Sequence, residues 1–241
     1  MRNLGYKWKD DNRERSYMIK LLHNRLGISF VLEENIVNEL VVENPLLLAE
    51  VVKELSGQCE GQTGGFVLSQ ESKILAVEKN VCFLIEPFSL DNNNRKILTK
   101  LYQSLGNYVK NDLYERQGEF IQSYLKYMDC ICEQSEFCLT YNMEPECQDL
   151  LKMANVKFNI ESDTILESIV NYIKVACELL GIKIFIFLNL KLFLSEEEIR
   201  KLYKESFYRK IHIVLIEAIY QKKYLEETVC IIDKDKCIIY P

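Results

Sequence analysis

The chain has 241 residues, 48% of them hydrophobic, enough for one large core or a core with an appended subdomain. Its formal net charge of −6 argues, taken as an average, against a nucleic-acid partner, and no apolar run approaches the ~18 residues of a membrane span. With a polar start, no secretory apolar core, and nine cysteines but no Cys-x-x-Cys pair, a cytoplasmic protein with reduced, mostly buried thiols is expected.

Residues 1–17 are polar and aperiodic and read as a flexible N-terminal extension. Short strands are expected at 19–22, 29–32 and 36–42. The last of these ends at Asn44-Pro45, an N-cap followed by proline in the first helical turn, which opens a helix through Leu55. Residues 56–65 hold four glycines, but no Gly-Lys-Ser/Thr follows and a strand comes next, so they read as a loop and not as a phosphate cradle. Residues 66–68 and 74–77 suggest a hairpin, and 81–85 a buried strand stopped by Pro87.

The pattern then turns helical. Ile97, Leu98, Leu101, Tyr102, Leu105, Tyr108 and Val109 define one long amphipathic helix, and Phe120, Ile121, Tyr124, Leu125, Met128 and Ile131 a second, over 113–137. A shorter helix runs from Pro145 to Met153, residues 156–160 can form a strand, and 164–180 is a helix closed by Gly181 at its C′ position.

Residues 182–217 contain strand, loop, helix and strand in one pass. Two almost unbroken apolar runs, 182–188 and 211–216, read as central strands covered on both faces. Between them Ser195 and Glu198 form a capping box ahead of Ile199, Leu202, Tyr203 and Phe207 at helical spacing. This βαβ unit requires parallel strands and places a ligand surface at their carboxyl ends, near 189–193 and after Glu217. A hairpin around 233–236 ends the chain. The expected architecture is an α/β head with a parallel-containing sheet, built from 18–90 and 156–241, with an inserted helical leg at 91–155.

Catalytic constellations are scarce. His23 and His212 are the only histidines, so Ser-His-Asp or Cys-His chemistry has little material. Cys130, Cys132, Cys138 and Cys147 cluster in sequence, but Cys130 and Cys132 lie about 200° apart on a helix and cannot face one metal. Asp129, Glu133 and Glu136 share a helix face, with Glu144 and Glu146 close behind; such stacked carboxylates are either solvated or relieved by a divalent ion. Charge is uneven. Residues 182–223 carry nine Lys or Arg against five Glu, a net of +4, which leaves −10 for the rest. Lys191, Arg200, Lys201 and Lys204 fall where strand carboxyl ends converge and are the expected contacts to a polyanion, with solvated lysines around a sheet as the alternative.

The succession FLIEPFSLD, NRKILTKLYQSL, LLKMANVKF, SDTILESIVNYIKV, FIFLNLKLFLSEEEIRKLY, IHIVLIE and IIDKDKC resembles the CRISPR-associated Csn2 family of type II-A systems, from Met18 onward. The resemblance implies a non-catalytic protein of spacer acquisition in antiviral defence. Its head would be a degenerate nucleotide-binding-like fold without a phosphate loop. It further implies a homotetrameric ring that encloses double-stranded DNA and threads onto its ends, and work beside the CRISPR integrase and effector nuclease. Calcium held by acidic residues is also implied, here by Asp129, Glu133, Glu136, Glu144 and Glu146, although Cys138, Thr140 and Asn142 depart from the family's acidic pattern. The alternatives from other classes are a degenerate nucleotide-dependent phosphotransferase or ATPase, and a protein scaffold without nucleic acid.

Overall fold

The computed structural model describes residues 18–71 and 73–241; the expected extension at 1–17 lies outside them. Two compact units result. One comprises residues up to Leu90 together with Ser162–Ile173 and Gly181–Pro241, and the other Asp91–Glu161 with Lys174–Leu180.

The head unit is built on two sheets. Strands β1 (Ile19–His23), β2 (Ile28–Leu32), β4 (Phe66–Gln70) and β5 (Lys73–Leu75) form an antiparallel sheet in the order β2-β1-β4-β5. The larger sheet has the order β10-β9-β3-β8-β7-β6, from β3 (Val37–Val42), β6 (Val81–Leu84), β7 (Ile184–Leu188), β8 (His212–Glu217), β9 (Glu227–Ile232) and β10 (Ile238–Ile239). All of its pairings are parallel except the antiparallel edge pair β9-β10. Strand β3 thus lies beside β8 although about 170 residues separate them, a pairing no local signal announces.

Alternation sends the residues of each central strand to opposite faces. Leu40, Val42, Ile184, Ile186, Val214, Ile216, Cys230 and Ile232 face one way and join Leu47, Val51 and Leu55 of helix α1 (Pro45–Cys59) and the inner residues of the antiparallel sheet in the main core. Glu39, Val41, Val229, Ile231 and Glu217 point to the other face, which carries helix α7 (Glu196–Tyr208). Helices on both faces of a mostly parallel sheet define an α/β fold.

The local signals at 182–217 hold. Ser195 caps α7, and both halves of the capping box are made. The glycine-rich stretch behaves otherwise than expected, because α1 continues through Gly57 to Cys59. Leu55 is fully buried there, and the Gln58 amide donates to the Phe66 carbonyl and accepts from the Phe66 amide, both at 2.9 Å. The glycines serve this packing: a Cβ on Gly64 would lie 2.5 Å from Gln58, and one on Gly65 2.5 Å from His23. The second strand of the expected 66–77 hairpin is short, since β5 ends at Leu75 and Val77–Asn80 is the helical turn α2.

The second unit contains α3 (Arg95–Asp112), α4 (Tyr114–Cys132) and α5 (Cys147–Met153), and α6 (Ile165–Leu180) is divided between the two units. Asn94 caps α3, and Ile97 and Tyr102 are its buried side chains. The strand expected at 156–160 does not form. Its backbone is taken by side chains instead: Asn93 bonds both the amide and the carbonyl of Phe158, and the Tyr102 hydroxyl donates to the Val156 carbonyl. Helix α4 ends earlier than expected, because Gln134 and Ser135 bond back three residues, to the carbonyls of Ile131 and Cys132, and tighten the last turn. The thiols correct another expectation. Only Cys230 is buried, while Cys130, Cys138 and Cys237 are exposed and the other five are half-buried; Cys130, Cys132 and Cys147 lie on α4 and α5, which bury no residue at all.

Candidate nucleic-acid interface and the buried lysine beneath it

Of the four expected DNA contacts, Lys191 is a correction. It sits in a 3-10 turn, Leu190–Leu192, just after β7, and only 2% of its side chain is exposed. Its ammonium donates to Glu39 at 2.7 Å, to Glu227 at 3.0 Å and to the Lys222 carbonyl at 2.9 Å. All three ammonium donors are therefore used inside the protein, and none remains for a phosphate. Burial opposes the charge on Lys191, but the bonds to Glu39 and Glu227 outweigh it and hold its pKa above the ordinary lysine value.

Around this lysine the sheet assembles a buried polar group that no spacing in the sequence announces. Glu39 and Glu227, from β3 and β9, are less than 5% exposed. Glu227 also accepts from the Tyr203 hydroxyl on α7 and from the Tyr224 amide at 2.8 Å. Burial, then the Glu227 charge, pushes the Tyr203 phenol up. Glu217, at the end of β8 and 1% exposed, accepts from the Lys191 amide at 3.1 Å. Asn189, at φ +52°, accepts from the Ala218 amide at 2.8 Å and so stitches the ends of β7 and β8 together. The one hint in the sequence is a glutamate, next to Asn38, inside a strand whose other four residues are apolar, Val37–Val42.

Arg200, Lys201 and Lys204 lie on the outer surface of α7 and are exposed. Arg200 pairs with Glu196 at 3.0 Å and Lys201 with Glu197 at 2.8 Å, each one helical turn back, and Lys222 reaches Glu196 at 2.9 Å. Arg200 and Lys222 also lie over the Tyr224 ring, 5.2 and 5.6 Å from its centroid. Lys201 and Lys204 border a groove of about 430 Å³ against Leu166, Val170 and Asn171 of α6. Exposed pairs of this kind contribute only ~0–1 kcal/mol, so a phosphate can displace the glutamates at little cost.

The five carboxylates expected to hold calcium do not converge. Asp129 accepts a hydrogen bond from the Tyr141 hydroxyl, Glu133 closes α4, and Glu136 lies beyond the helix end, so the expected shared face is broken. Glu144 and Glu146 lie on the approach to α5, whose N-cap is Glu146. Among the described residues no three His, Cys, Asp or Glu side chains come together as a metal site. His212, at the start of β8, is half-buried, and burial pushes its pKa below the ordinary value.

Fold and site together define an α/β protein in which β3 passes to α1 through Glu43 and Asn44 alone, with Pro45 already helical. The model of the CRISPR-associated protein family Cas_Csn2 matches residues 58–236, and the chain belongs to that family. No curated protein matches the sequence. Among solved structures, the ADP conformation of an ATP-binding cassette of an ABC transporter is similar at TM-score 0.44 and 10% identity, covering 88% of this chain and 87% of that one. A putative ABC transporter ATP-binding protein from Pyrococcus furiosus gives 0.37 and 13%, with 88% and 96% covered. Likenesses at this level carry no argument for nucleotide chemistry. No described helix is long and apolar enough to cross a membrane.

Proposed function

We propose that this CRISPR-associated protein is a non-catalytic double-stranded DNA-binding protein of spacer acquisition that acts as a homotetrameric ring threaded onto linear DNA ends. The observation that carries the reading is the set of exposed cations Arg200, Lys201 and Lys204 on α7, which stand among Glu196, Glu197 and Glu205, on a member of the Csn2 family. No base-reading helix accompanies these side chains, so contacts go to phosphates and are indifferent to sequence. One subunit supplies few of them, and repetition around a ring supplies the rest. Helix α4 supports self-association. Phe120, Tyr124, Tyr127 and Ile131 recur at helical spacing on one face, and Phe120, Tyr127 and Ile131 are 44–67% exposed. The direct passage from β3 to α1 supports the absence of ATP chemistry, because no nest of amides cradles a phosphate there. No step in this reading is assigned to calcium.

The test is topological. A closed ring takes up linear duplex from its ends and leaves covalently closed circles of the same sequence unbound. Equal affinity for both forms in a filter-binding titration removes the threading mechanism.

A further inference from the structure

Three carboxylates, Glu39, Glu217 and Glu227, surround a single buried ammonium, so full ionisation leaves two negative charges in excess inside the head. Their hydrogen bonds are unequal. Glu227 is satisfied by Lys191, the Tyr203 hydroxyl and the Tyr224 amide. Glu39 uses only Oε2, toward Lys191, and Glu217 uses Oε1, toward the Lys191 amide. The second oxygens, Glu39 Oε1 and Glu217 Oε2, accept nothing from the described residues, although both side chains are about 99% buried or more.

The register brings these two unsatisfied groups together. Glu217 pairs with Val41 across β3-β8, so Glu39 is its neighbour two residues back on the adjoining strand and on the same face. Lys191 is the only cation facing them from the turn after β7. Tyr203 comes from α7, and Glu227 and Tyr224 from β9 and the segment before it; Arg200, Lys222 and Glu196 stand further out, around the Tyr224 ring. An ionised carboxylate with an empty lone pair in such a place is costly, and buried acids answer by keeping a proton.

We infer that the Glu39–Glu217 pair retains one carboxyl proton in the folded head and releases it near neutral pH, which makes the stability of the head proton-sensitive. The proton resides on Glu217, because Glu39 has the ammonium at 2.7 Å and Glu217 has backbone amides alone. Burial pushes the Glu217 carboxyl up to about 7 from an ordinary 4.5. The sign follows from linkage. An acid raised on folding contributes stability that is whole below the unfolded value and is lost as pH rises through the folded one, so the loss falls between about pH 4.5 and 7 and levels off above. The paired acids Glu54, Glu196, Glu197 and Glu198 are lowered and act below that window. His212, whose pKa is depressed, acts in the opposite sense, as pH falls below its ordinary value, and is common to wild type and variant.

The experiment is urea unfolding of the full chain and of Glu217→Gln between pH 5 and pH 8. A glutamine amide keeps the acceptor for Lys191 and offers Glu39 a donor, as a protonated acid does. The ratio of wild-type to variant unfolding constants is expected to rise by up to tenfold per pH unit through this window, and by about 70-fold between pH 5 and pH 8 for a shift of this size. Infrared spectroscopy of the wild-type chain gives a second readout that needs no variant: a protonated-carboxyl band present at pH 5.5 and titrating away near 7. Parallel pH profiles for the two proteins, or no such band at pH 5.5, overturn the inference.

Discussion

Replacing Lys191 by methionine separates the two roles this residue can have. The substitution keeps the buried stem and removes the ammonium, which leaves Glu39 with no hydrogen-bond partner and takes one donor from Glu227. Breaking a buried ion pair by deleting one partner costs about 3–5 kcal/mol, because a desolvated carboxylate remains without compensation. Against a total stability of about 5–15 kcal/mol this is a large fraction. With a urea slope near the top of the ~1–3 kcal/mol/M range, the unfolding midpoint falls by about 1 M or more. Circular dichroism of the full chain in urea measures the shift, and the double variant Lys191→Met, Glu39→Gln recovers part of it, since the stranded charge is gone. A loss below about 1 kcal/mol together with a selective loss of duplex binding would refute the reasoning and return Lys191 to the DNA surface.

Lys201→Glu with Lys204→Glu lowers affinity for linear duplex at least tenfold while leaving the melting temperature within about 2 °C, as exposed pairs contribute ~0–1 kcal/mol; a mobility-shift assay beside a thermal scan checks both. Affinity of the wild type declines with a log-log salt slope of about −0.9 per phosphate neutralised, and a slope near zero contradicts phosphate contact. Tyr127→Glu with Ile131→Glu, placed on the exposed face of α4, reduces the oligomer seen by light scattering to smaller species; an unchanged mass moves the interface elsewhere. In acid, Glu54 contributes one of the losses. Burial raises its carboxyl, but His23, the Gly65 amide and Arg25 together outweigh this and hold it below the ordinary value. Its contribution is present above about pH 4.5 and disappears as pH falls through the folded value, so Glu54→Gln flattens the acid limb of the stability curve.

How much of this could be read before folding follows from the range of each interaction. The capping box of Ser195 and Glu198 spans three residues, and the apolar runs on either side are covered on both faces, so the βαβ unit and its parallel strands were legible in the sequence. Asn44-Pro45 likewise placed the start of α1. The amphipathic periods of α3 and α4 announced two long helices. The succession of segments was enough for the family, which the match over residues 58–236 shows.

What only the tertiary structure decided is where each charge points. Lys191 meets Glu39 across 152 residues of chain and Glu227 across 36, through strand neighbours set by the order β9-β3-β8-β7. A count of +4 over residues 182–223 treats that lysine as equal to Lys204, yet one lies in the interior and the other on the surface. The leg carboxylates show the same limit. Helical spacing grouped Asp129, Glu133 and Glu136, but α4 stops at Cys132, and a shared face ends with its helix. Spacing determines which residues can meet along one element, while burial and pairing between distant elements determine which charges solvent, or a phosphate, can reach.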